Sequence, residues 1–138
     1  YLRMLLERYG SHLDEEKSES LRFELTRFQV DGVRRMRRLL DEIGGVLVAD
    51  EVGLGKTYLA LEVIAAASEE LRQRVIVAAP AALKAGVWDP ILKRFGMSRR
   101  VSAYSYEEIR NRMDPEKEPD HDFLNEVEDA ALIIVDEA

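Results

Sequence analysis

Asp50-Glu51-Val52-Gly53-Leu54-Gly55-Lys56-Thr57 sits between a short apolar run, Val46-Leu47-Val48-Ala49, and an alanine-rich stretch over residues 56–70. A buried strand, a glycine-bearing turn and then a helix make up the setting that a phosphate-binding loop requires. Glycines at 53 and 55 let successive backbone N–H groups turn inward around a phosphate chain, and a helix opening at Lys56 adds its dipole and its free donors. In that arrangement Lys56 reaches the β- and γ-phosphates and Thr57 offers its hydroxyl to Mg²⁺. One position departs from the usual spacing: where glycine customarily stands, five residues before Gly55, the chain has Asp50.

Working outward, short apolar runs alternate with helical stretches. Strands are predicted over 46–49, 74–79, 100–104 and 131–135, with helices over 56–70, 81–95, 106–112 and 121–128. A βαβαβαβ order of this kind implies an α/β fold, a parallel sheet with helices on both faces. The third strand is polar enough to sit at a sheet edge. Upstream, a helix over 26–42 places Val30, Val33, Met36, Leu40 and Ile43 on one face and turns Arg34, Arg35, Arg37 and Arg38 elsewhere, as a solvated face or a phosphate-contacting patch. A short amphipathic helix over 1–9 and a polar linker over 14–20 precede it, and a charged, proline-punctuated surface loop spans 114–120.

The second chemical signal is Leu132-Ile133-Ile134-Val135-Asp136-Glu137-Ala138, an apolar strand ending in paired carboxylates. A parallel strand delivers its last residues to the ligand crevice beside the first strand-to-helix loop. Asp136 is placed to hold the Mg²⁺ shell, and Glu137 to orient and deprotonate an attacking water.

Composition narrows the field. At 138 residues, the chain has the length of one domain able to bury a core. The absence of cysteine excludes disulfides and thiolate metal sites, and two distant histidines, His12 and His121, make a poor zinc site. No apolar stretch is long enough to span a membrane and no secretory signal layout opens the chain, so a cytoplasmic protein with no membrane partner is expected. The net charge of −7 argues against a wholly basic nucleic-acid coat. From Glu107 onward, however, 12 acidic residues face 3 basic ones, so a basic face, if present, lies upstream.

The run Asp-Glu-Val-Gly-Leu-Gly-Lys-Thr, acidic start included, resembles the nucleotide-binding motif of the Swi/Snf-type ATPases, helicase-like double-stranded DNA translocases of helicase superfamily two. Asp136-Glu137-Ala138 looks like their Asp-Glu-Ala-His box, one residue short. Arg27-Phe28-Gln29-Val30-Asp31-Gly32-Val33 is similar to the upstream glutamine motif, which implies that Gln29 contacts the adenine edge. The stretch from Pro80-Ala81-Ala82-Leu83 to Trp88 resembles the motif that packs beside the DNA track, with burial against the sheet the favoured reading for Trp88 itself. Lys84 is a phosphate contact or a solvated lysine, and Ser105-Tyr106-Glu107 looks like the later Ser-Tyr-Glu element, whose helix-start donors suit sugar-phosphate contact. The likeness covers 21–138; the span between Phe95 and Ser105 is short for a large eukaryotic remodeller, pointing to a compact, prokaryotic form.

The resemblance implies an N-terminal helix and linker over 1–20 followed by a first RecA-like ATP-binding lobe over 21–138, with ATP and Mg²⁺ as cofactors. The nucleotide would be held by Gln29, Asp50, Glu51, Val52, Gly53, Leu54, Gly55, Lys56 and Thr57; catalysis would fall to Lys56, Asp136 and Glu137, and metal binding to Thr57 and Asp136. It further implies double-stranded DNA as partner, a nucleoid or nuclear setting, and a second RecA-like lobe supplying arginines. Without that lobe, 138 residues alone are expected to hydrolyse ATP barely. Two alternatives stand beside it: an RNA or DNA helicase of the Asp-Glu-Ala-His type, and a non-hydrolysing nucleotide-binding interaction module.

Overall fold

The computed structural model describes residues 27–48 and 55–136. The predicted helix over 1–9, the linker over 14–20, and Asp50, Glu51, Val52, Gly53, Leu54 and Glu137 lie outside them. Helix α1 (Arg27–Ile43) is followed by α2 (Lys56–Ala65), which runs on through a π-helical turn, Ala66–Glu70. Strand β1 (Arg74–Ala79) leads into α3 (Ala81–Leu83), a second π turn (Lys84–Trp88) and α4 (Asp89–Arg94). Then come β2 (Val101–Ser105), α5 (Tyr106–Arg112), α6 (His121–Asp129) and β3 (Ala130–Val135). Among the described residues no helix is long and apolar enough to cross a membrane.

The three strands form a parallel sheet in the order β2-β1-β3. Central β1 is an unbroken Val-Ile-Val-Ala-Ala run, and Val75 through Ala79 are all buried, as a strand covered on both faces requires. The more polar β2 takes an edge, as its sequence indicates. On one face Val75, Val77 and Ala79, with Val101 of β2, pack against Leu61, Ile64 and Ala65 of α2 and against Trp88, Leu92 and Met97. Full burial of a Leu or Ile side chain contributes about 1.5–3 kcal/mol, so this cluster is the main stabilising body of the fold. The opposite face carries α6: Glu126 accepts hydrogen bonds from Ser102 and Tyr104 of β2, and buried Phe123 meets the Tyr104 ring edge-on at 5.1 Å. The protein is thus of the α/β class, with helices against both faces of a small parallel sheet.

The first predicted strand is a correction. Residues 46–48 form no strand, and Leu47 is 80% exposed. Strand propensity is realised only against cross-strand neighbours, and here the apolar run pairs with neither free sheet edge. Its absence leaves β3 half-open: Ile133 and Val135 are 52% and 54% exposed, while alternate residues Leu132 and Ile134 pack on the core. In α1, Val33 is buried as predicted, but Ile43 is 72% exposed. It is the last helical residue, and Gly44, at φ 79° with its N–H donated to Leu40 O at 2.9 Å, ends the helix immediately after it.

Candidate nucleotide site

The predicted site residues that are described fall into two clusters. The first is the start of α2. Gly55 occupies the N-cap at φ 77°, ψ 30°, a left-handed conformation that a residue with a Cβ enters at a cost, and its carbonyl accepts from Tyr58 N–H at 2.9 Å and Leu59 N–H at 3.2 Å. No side chain caps the helix and no acid stands in its first turn, so its positive end is not neutralised from within α2. Lys56 and Thr57 follow directly, both half-buried. Across from them lies Gln29 of α1: a Cβ placed on Gly55 would collide with the Gln29 Nε2 atom. The structure therefore brings the glutamine and the end of the glycine loop together, 26 residues apart in sequence.

The second cluster surrounds Asp136, at the C-terminal end of β3. Its N–H donates to Ala78 O at 2.9 Å, extending the β1–β3 ladder by one rung. Trp88, 1% exposed, donates its indole Nε1–H to Asp136 Oδ2 at 2.9 Å, and the Tyr106 hydroxyl donates to the Asp136 carbonyl. Geometry alone explains how Trp88 arrives there. The i to i+5 bond from Asp89 N–H to Lys84 O inserts one extra residue into the helix. That advances the register by about 100°, carrying Trp88 into the core. Because Leu61 and Ile64 of α2 share a core with Trp88 and Ile134, both clusters lie on the same side of the sheet.

Several predicted contacts resolve differently. Trp88 is buried, which agrees with the favoured reading and removes it as a stacking platform. Lys84 is engaged by the protein's own acids, at 3.1 Å from Asp89 and 3.9 Å from Glu108. Ser105 spends its groups on a capping box: its Oγ accepts from Glu108 N–H at 3.1 Å, and its N–H donates to Glu108 Oε2 at 2.6 Å. Those Ser105 groups do not serve a sugar-phosphate backbone. What sequence reasoning missed is that Trp88 and Tyr106 converge on Asp136; both segments carry family resemblance, but 48 and 30 residues separate them from their partner.

Mg²⁺ takes hard oxygen donors and is commonly held by one or two carboxylates together with substrate phosphates and water. The Asp136 carboxylate and the Thr57 hydroxyl are donors of that kind, and the indole bond engages Oδ2 of Asp136. Among the described residues no group of three or more His, Cys, Asp or Glu could cage a metal unaided. The donor set fits a cation shared with a bound phosphate chain. A depression of about 330 Å³ lined by Arg110, Asn111, Met113, Asp114 and Pro115 contains none of these residues. No family model, curated protein or solved structure matches the chain.

Proposed function

We propose that the chain is the ATP-binding first RecA-like lobe of a DNA-dependent ATPase that couples ATP hydrolysis to movement along double-stranded DNA. The observation that carries this reading is the seating of Gln29 against Gly55 at the unneutralised start of α2. An amide pairs bidentately with the N6 and N7 edge of adenine, and the helix start attracts the phosphates. In this reading the loop Asp50-Glu51-Val52-Gly53-Leu54-Gly55 wraps the phosphates, Lys56 binds the β- and γ-phosphates, and Thr57 and Asp136 hold Mg²⁺. Bound Mg²⁺ supplies charge neutralisation on the phosphates. Glu137 orients the attacking water and accepts its proton. The half-open β3, with Ile133 and Val135 exposed beside an unpaired and exposed Leu47, supports a complete lobe in which 46–49 adds a fourth strand. Duplex DNA as the track rests on the motif likeness, acidic loop start included.

The test is nucleotide binding followed by turnover. Lys56→Ala is expected to abolish ATP binding measured by calorimetry; unchanged binding would remove the phosphate-loop assignment.

A further inference from the structure

Asp136 is a part-buried carboxylate with one side-chain hydrogen bond among the described residues, and its donor is a tryptophan 48 positions upstream. An aspartate at a strand end has two soft side-chain torsions, and a carboxylate free to rotate presents its oxygens to a cation only part of the time. The indole donor takes Oδ2 and removes that freedom. Trp88 is itself immovable: it is 1% exposed and packed in the main core. The Tyr106 hydroxyl holds the Asp136 carbonyl, so side chain and main chain are tethered from two different helices. Those tethers come from the π turn after β1 and from the first residue after β2. A shift of either segment is therefore transmitted to the carboxylate.

Resting on the nucleotide-site reading above, we propose that Trp88 is a positioning residue that locks the Asp136 carboxylate for the Mg²⁺ of a bound nucleotide, with Tyr106 steadying the same residue through its carbonyl. Partners that orient a metal ligand typically contribute 10–100-fold in metal affinity or activity. Trp88 is the single tryptophan of the chain, so its emission reads the site directly. Three measurements on the full protein separate the outcomes. First, Mg²⁺ added to the ATP-bound wild type should shift Trp88 emission, whereas Asp136→Ala should give no such shift; a silent wild type overturns the proposal. Second, Trp88→Phe should raise the Mg²⁺ concentration for half-maximal turnover about tenfold and lower kcat, leaving the KM for ATP within about twofold. A normal Mg²⁺ requirement and kcat in that variant overturn the positioning role, while wild-type turnover preserves the nucleotide-site reading. Third, should Trp88→Phe fail to fold by circular dichroism, Tyr106→Phe, which removes one hydroxyl, is expected to move the Mg²⁺ requirement in the same direction; no movement overturns the two-point tether. A wild type that binds no ATP defeats the nucleotide-site reading and the positioning role with it.

Discussion

Replacing Gly55 by alanine tests the link between the helix start and Gln29. Gly55 sits at φ 77°, ψ 30°, where a Cβ costs about 1–2 kcal/mol in backbone strain. The new methyl also meets Gln29 Nε2, the end of a flexible side chain, which can swing away at a rotamer cost of about 0.5–1.5 kcal/mol. Together these predict a destabilisation of about 2 kcal/mol, with strain the larger part. Urea unfolding followed by Trp88 emission measures it; with a slope of about 2 kcal/mol per molar, the midpoint should fall by about 1 M. Displacing Gln29 should also weaken ATP binding about tenfold through the lost adenine pair. In a Gln29→Ala background the collision is gone, so Gly55→Ala should cost less there, by about 0.5–1 kcal/mol of coupling. An unchanged urea midpoint, or full additivity of the two substitutions, would refute the reasoning.

Ser105→Ala removes the capping box of α5 and should cost about 1 kcal/mol in urea unfolding; a loss below about 0.3 kcal/mol would show the cap to be idle. Tyr104 is pushed up from 10.0 to about 12, chiefly by burial and then by the hydrogen bond to Glu126 and its charge. Its hydroxyl therefore stays protonated in the fold where the unfolded chain has released the proton. That stabilisation is complete below pH 10 and is lost as pH rises toward 12. Tyr104→Phe should flatten this alkaline loss in urea midpoints taken at pH 9 and 11, and an equally steep loss in both proteins would count against it. Glu137→Gln should bind ATP normally and fail to hydrolyse it; normal turnover would remove Glu137 as the base.

What could be read from sequence follows from how local the physics is. The uninterrupted apolar run of β1 and the Ser105 to Glu108 spacing before α5 each specify their element from a few adjacent residues, and each element stands where it was predicted. The run at 46–48 carries the same strand propensity but depends on a distant sheet edge, so composition alone overstated it. The approach of Gln29 to Gly55 was legible only through likeness to a known motif, because nothing local to either residue calls for the other. The bond from Trp88 to Asp136 was not legible at all. It needs a π turn, whose i to i+5 bond leaves no compositional mark, and a strand pairing that aligns Ala78 with Val135.

The central claim is tested most directly by ATP hydrolysis by the intact protein, joined to its second lobe if the chain is part of a longer one. It is measured alone and with duplex DNA, single-stranded DNA or RNA, with Lys56→Ala as the blank. The account predicts turnover that duplex DNA stimulates and that the blank lacks. Stimulation by RNA or single strands alone would contradict the duplex-translocase reading in favour of a helicase, and no turnover with any nucleic acid would contradict the ATPase itself.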